Sequence, residues 1–587
     1  MKTNLSILCL VSLLVSACGD KSDKSAAERS SRGGVLLTTD LPPELIEGTP
    51  RAIILPQCTP MQSQRRPDTM ERPFPQPPPP PPPPLARNLI PDEGHGFHPP
   101  GPQPPPVDRE RYSELIDTPW QTSVDAPLST FSIDVDSASY ANLRRMIVEG
   151  RSIPMDAVRL EEMVNYFDYA YPQPTDAHPF AVHVDNASCP WNTQHQLVRV
   201  ALKGLEISRS QRPPANLVFL LDVSGSMNEP RKLPLVTASL ELLLEDLNAS
   251  DTLSIVVYAG AEGVALAPTA CDTQGRERIT AALHSLRAGG TTNGGAGIKL
   301  AYQMAREQFK PGGINRVILA TDGDFNVGVT GDGGLVRMVE DFAKTNVFLT
   351  VLGVGAGNLN DGMLEAITNK GNGVYCYLDS LEEARRVFVR QMMGTLLTIA
   401  KDVKIQVEFN PAQVRGYKLL GYANRMLRKE DFSNDKADAG DIGAGHSVTA
   451  FYEVETGDGR NLPPAEFLRY ATVQEQVPSG KSSLSDSLAS PEWLTVKLRY
   501  KAPQGERSTL IERPFTGVSR AFGEADADFR FGTAVALTAL ILRKDVGLGN
   551  SQFSDAGTIA AAALGTDPHG DRAEFLGLVK RLAKFPH

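Results

Sequence analysis

Three short segments carry the residues able to do chemistry. Leu217-Val-Phe-Leu-Leu-Asp222-Val-Ser224-Gly-Ser226 ends an unbroken apolar run in an acid followed by hydroxyls at alternate positions. Gly289-Gly-Thr-Thr292-Asn-Gly-Gly sets a hydroxyl inside a loop of small residues, and Val317-Ile-Leu-Ala-Thr-Asp322-Gly is a second apolar run closing on an acid. Such runs read as strands buried on both faces. Sites in open α/β sheets lie just beyond the carboxyl ends of those strands. Every candidate ligand atom is oxygen, which selects a hard divalent cation: magnesium first, with manganese or calcium also compatible. Singly, each segment has a plainer meaning. The acid and serines could be a helix N-cap cluster, Thr292 a loop residue and Asp322-Gly323 a turn. Their order and spacing together argue for one ion site.

Acid-x-Ser-x-Ser, then a Gly-flanked Thr, then strand-Thr-Asp-Gly, resembles the metal-ion-dependent adhesion site of von Willebrand factor type A domains, over roughly residues 214 to 395. All five family positions match. The resemblance implies that Ser224, Ser226 and Thr292 bind the ion directly, while Asp222 and Asp322 act largely through water. Neutral hydroxyls offset the cation's charge poorly, so it stays electrophilic. One coordination position is left for a carboxylate from a partner protein, and magnesium's octahedral demand makes that bond directional.

The elements that must position these residues are legible around them. Leu233, Val236, Leu240, Leu243, Leu244 and Leu247 fall on one helical face. Leu253 to Tyr258 reads as a strand and Gly263 to Pro268 as a short edge strand. Helices are expected around Arg276 to Leu286 and Gly297 to Phe309. A strand at Val347 to Val354, a helix at Met363 to Asn369, a strand at Val374 to Leu378 and one helix from Leu381 to Leu397 follow. The alternation predicts a doubly wound α/β sheet with helices on both faces. The resemblance implies a mostly parallel sheet with one antiparallel edge.

The flanks read differently. In 111–213, Phe131-Ser-Ile-Asp134-Val-Asp136-Ser137 passes from strand into helix, with Asp136 or Ser137 as N-cap; its acids and serines echo the metal motif but at the wrong positions. A helix at Arg159 to Phe167 and strands at Pro179 to Val184 and Gln196 to Leu202 follow. In 396–587, strands at Val403 to Phe409, Ser447 to Val454 and Trp493 to Tyr500 precede helices at Phe529 to Arg543 and Ala573 to Lys584, with a polar loop over 457–491. β patterning on both sides predicts one β-rich body into which the 214–395 domain is inserted. The layout resembles a bacterial family of von Willebrand type A lipoproteins, whose flanking domains have no assigned activity.

Residues 1–17 read as a signal peptide. Val15-Ser-Ala-Cys18 resembles a lipobox, which implies that Cys18 carries lipid and holds the protein at a membrane surface. Gly19 after that cysteine favours the outer membrane, facing periplasm or surface, by analogy with enteric lipoproteins. Residues 18–110, with an unbroken proline run from Pro77 to Pro84, read as a disordered, semi-rigid tether. The formal charge of -10 argues against nucleic acid as a partner. The von Willebrand resemblance implies that Cys271 and Cys376 lie on opposite sides of the sheet, beyond bridging distance.

No catalytic constellation is visible: there is no His-Glu-x-x-His, no Cys-x-x-Cys, no phosphate-binding loop and no nucleophile elbow. Asp322-Gly-Asp324 opens like an EF-hand but lacks its later glycine and glutamate. The expected function is therefore metal-dependent protein binding in the bacterial cell envelope rather than enzymatic. A metal-dependent hydrolase or enzyme subunit, and a purely structural envelope protein, are the competing readings.

Overall fold

The computed structural model describes residues 110–133, 136–290, 294–323, 331–458 and 490–584. Thr292, Cys18, the tether short of residue 110 and most of the loop at 457–491 lie outside them. The α/β part is a six-stranded sheet in the spatial order Tyr375–Leu378, Phe348–Val354, Ile314–Thr321, Ala215–Asp222, Thr252–Tyr258, Glu262–Ala270. All neighbours run parallel except the last pair, which is antiparallel and forms the edge.

Strict alternation explains why the central strand is apolar throughout. Leu217, Phe219 and Leu221 join one core with Val236, Leu240 and Leu243 of the helix Leu233–Asp246. Val218 and Leu220 join another with Ile298, Ala301 and Tyr302 of the helix Gly294–Glu307. All five strand residues are fully buried. A strand covered by helices on both faces has no face left for polar residues.

The flanks form two antiparallel sheets. One runs Gln121–Thr122, Val414–Leu420, Ser447–Thr456, His195–Gly204, Phe180–Ser188; in the other, Thr398–Phe409 pairs with Leu128–Ser132, Gly440–Gly443 and Leu494–Lys501, which in turn pairs with Ser508–Phe515. Both sheets thus mix strands from before and after the α/β part. Val198, Val200 and Leu202 share a core with Val403, Ile405 and Val407 between the sheets. Leu197 and Ala201, on the opposite pleat face, pack with Phe529, Val535 and Phe575 of the C-terminal helices. Each strand therefore alternates between sheet-facing and helix-facing residues.

Two local expectations are met only in part. Ser137 is the N-cap residue of the helix Ala138–Glu149, as expected, but its side chain makes no capping bond. Asp136 instead accepts the Tyr375 N–H at 2.8 Å and pairs with Arg425 at 3.0 Å. Ser137 Oγ accepts from Arg386 at 2.6 Å. The single helix expected from Leu381 to Leu397 is broken into Leu381–Arg385, a π turn Arg386–Arg390 and Met392–Leu396. Arg386 lies inside the break: its guanidinium bonds Glu383 at 2.9 Å and sits 3.9 Å from the Tyr166 ring centre. A wide turn that re-aims one side chain is a common use of π geometry. Cys271 follows one edge strand and Cys376 lies in the strand at the other edge; both are free, buried thiols.

Candidate metal centre

The centre forms where the two middle parallel strands end. Ala215–Asp222 and Ile314–Thr321 are hydrogen-bonded neighbours, so Asp222 and Asp322 emerge side by side at the carboxyl rim. Both acids are fully buried. Asp222 Oδ1 accepts the Ser224 N–H at 2.8 Å, which curls the chain into the turn Gly225–Met227. The long helix begins only at Leu233, so the acid and serines do not cap it. Ser224 Oγ lies 3.1 Å from Ser226 Oγ, and Ser226 in turn hydrogen-bonds Asp322. Ser224 is buried whereas Ser226 is exposed, so the cluster reaches solvent through one hydroxyl.

The glycine-rich loop is stitched to the first turn through backbone alone. Gly289 N donates to Val223 O at 2.7 Å and Gly225 N to Gly290 O at 3.1 Å. Four of the five expected site residues are thus gathered at one rim: Asp222, Ser224, Ser226 and Asp322. Thr292, two residues past Gly290, lies outside the described residues.

The two carboxyls are not equivalent. Burial pushes the Asp222 carboxyl up; hydrogen bonds from Ser224 oppose the shift and repulsion from Asp322 adds to it. Tyr258 OH at 3.3 Å and Thr321 Oγ1 at 3.4 Å face its second oxygen. Burial acts on Asp322 too, but is outweighed by the Lys232 ammonium and by hydrogen bonds from Ser226 and Asn358, so its carboxyl stays below the usual range. Lys232 Nζ is 3.0 Å from Asp322 Oδ2.

A hard divalent cation would fit this donor set. The cluster offers only oxygen, and the amide oxygen of Asn358, on a residue that donates to Asp322, is buried without a partner among the described residues. Among those residues no group of three or more His, Cys, Asp or Glu is placed to hold a metal.

Lys232, Tyr258, Thr321 and Asn358 were not anticipated from sequence. One signal existed for Lys232: a cation at a helix N-terminus opposes the macrodipole and needs another reason to be there. A cleft of about 1660 Å³ lies elsewhere, lined by Arg199, Arg386, Arg572 and His446 among others. Its arginines are engaged by Asp185, Glu383 and Asp528, so it reads as a junction between flank and insert.

The von Willebrand factor type A domain profile matches residues 216–390, and a second von Willebrand factor profile matches 106–199. Residues 394–585 match the family described as "Uncharacterized protein YfbK, C-terminal". The chain is 43% identical over 477 residues to the Escherichia coli (strain K12) protein YfbK, spanning 80% of each. It is 30% identical over 150 residues to human inter-alpha-trypsin inhibitor heavy chain H4, 24% of this chain and 16% of that one. A solved von Willebrand factor type A protein from Catenulispora acidiphila covers 71% of this chain and 98% of its own, at 17% identity and a TM-score of 0.37. The type A profile over residues 216–390 and the YfbK relative define a von Willebrand factor type A domain protein. Within that class, the chain belongs to the YfbK family.

Proposed function

We propose that this protein is a lipid-anchored binding protein of the bacterial cell envelope. Its type A domain holds a divalent cation, magnesium by preference, at Asp222, Ser224, Ser226, Thr292 and Asp322, and captures an acidic group of a partner protein. The observation that carries this reading is the gathering of four all-oxygen ligands at a strand rim, with Ser226 exposed at its mouth. The ion would supply a Lewis-acidic position for an outside carboxylate. The chain's residues orient it: Asp222 fixes the first turn through Ser224, and Asp322 anchors Ser226 from the neighbouring strand.

The anchoring half of the proposal rests on the cysteine at position 18 behind its apolar segment. Among the described residues no helix is long and apolar enough to cross a membrane. Affinity capture from detergent-solubilised envelopes tests the whole reading. Acidic partners are expected to be retained in magnesium and released by chelator, and equal recovery in both conditions would refute it. Palmitate labelling of the wild-type chain and of Cys18→Ala tests the anchor, with label lost in the variant.

A further inference from the structure

Lys232 is buried, 3% exposed, at a position where local preference disfavours it. It is the N-cap of the helix Leu233–Asp246, with no side-chain capping bond, and a cation there faces the positive end of the helix dipole. Its ammonium instead lies 3.0 Å from Asp322 Oδ2 and 3.5 Å from the exposed Glu229. The fold clears a channel for it. Gly355 has φ +77°, which favours glycine, and a Cβ there would meet Lys232 Cε at 2.3 Å, so glycine at 355 leaves the space the lysine side chain occupies. The side chain is thus placed by geometry against its local cost.

We propose that Lys232 is a positioning residue of the metal centre: a fixed internal cation that holds one oxygen of Asp322 and cancels one of the centre's two carboxylate charges. The inference rests on the metal-binding reading above. The chemical consequence is twofold. Without the ion, Lys232 keeps the buried Asp322 compensated, so the rim stays formed. With the ion, the centre carries one net negative charge against a divalent guest, which holds it less tightly and leaves more positive charge to attract a partner's carboxylate. Even at the dielectric of water, a unit charge beside a ligand of a divalent ion shifts affinity by about tenfold.

The test is Mn2+ binding by calorimetry to the full chain and to Lys232→Met, with thermal melts of both in chelator. Lys232→Met is expected to bind Mn2+ about tenfold more tightly or better, while melting at lower temperature than wild type in chelator. A lysine that served only the fold would lower stability without tightening the ion. Folding of the variant only when Mn2+ is supplied supports the proposal, because the ion then replaces the missing charge. Lys232→Gln, which keeps a donor for Asp322, is the companion variant and is also expected to bind Mn2+ more tightly. Unchanged or weaker affinity in a folded variant overturns the inference, as does failure of both variants to fold even with Mn2+. Absence of Mn2+ binding by the wild-type chain overturns the proposed function as well, whereas wild-type binding with unaltered variants overturns this inference alone.

Discussion

Replacing Asp222 by Asn separates the energetics of the empty rim from those of the loaded one. In the empty rim Asp222 is fully buried and close enough to Asp322 for repulsion to raise its carboxyl. Asn keeps the acceptor that Ser224 N–H uses at 2.8 Å, and the Tyr258 and Thr321 hydroxyls can turn to accept from its amide. Removing the charge is therefore expected to stabilise the chelated protein and raise its Tm, because burial and the neighbouring Asp322 both disfavour the ionised carboxyl. The loaded rim reverses the order. At about 100 times its Kd, an ion adds about 2.7 kcal/mol to a protein that binds it. The variant, lacking one of two carboxylates, should gain under about 0.5 kcal/mol on the same scale. Melting curves by circular dichroism in chelator and in saturating Mg2+ should thus cross: variant above wild type without the ion, below it with the ion. Because the Asp222 carboxyl is raised, it weakens the chelated wild type only once ionised. The advantage of the variant should therefore shrink as pH falls into the ordinary carboxylate range and be full above it. A variant less stable than wild type in chelator, or one with the full Mg2+ gain, would refute the reasoning.

Three further outcomes follow from the surrounding structure. Asp441 has a buried carboxyl oxygen with no partner among the described residues, and burial, with Asp402 and Asp438 nearby, pushes its carboxyl up to about 7. It therefore costs stability progressively as pH rises to 7, so Asp441→Asn should stabilise by about 2 kcal/mol at pH 8 and by little at pH 4, read from urea midpoints. Glu383 is buried and bonds Arg386 at 2.9 Å, Arg144 at 2.8 Å and the Tyr166 hydroxyl at 2.7 Å; burial opposes its ionisation but these partners win, holding it at about 2. Glu383→Gln should cost about 3–5 kcal/mol at neutral pH, since it strands buried guanidinium charge. The loss should vanish as pH falls from the ordinary glutamate range toward 2, checked by denaturant melts across pH. Leu240→Ala, at a fully buried position against the central sheet, should lower unfolding free energy by about 2–5 kcal/mol.

The parts of the fold legible from sequence were those whose burial is complete. Leu217 to Asp222 and Val317 to Asp322 read as strands because helices cover both of their faces, leaving only apolar residues. The cluster at the rim was legible because Asp222, Ser224, Ser226 and Asp322 lie within one turn of those strand ends. What escaped notice depends on contacts between distant segments. Asp136 looked like a cap because local spacing cannot show that Tyr375 and Arg425 stand beside it. The break at Arg386 was hidden because residues 381–397 keep helical spacing while Ser137 and Tyr166 draw one side chain away. Strands such as Val414–Leu420 and Ser508–Phe515 went unread because they carry polar or proline residues tolerated toward a sheet edge. Lys232 was overlooked because its partner lies 90 residues further along the chain.

The shared sheets also dictate an order of assembly during synthesis. Among the described residues Leu128–Ser132 finds its strand partner in Thr398–Phe409 and a further bridge at Met426, and His195–Gly204 only half completes its ladder until Ser447–Thr456 arrives. The intervening α/β layer can close on itself first, since its strands from Ala215 to Leu378 pair only with one another. Once closed, it draws the waiting amino-terminal strands toward the place where their late partners will emerge. A chain halted near residue 390 would therefore carry a finished α/β layer and a set of naked strand edges, the form most prone to associate with copies of itself.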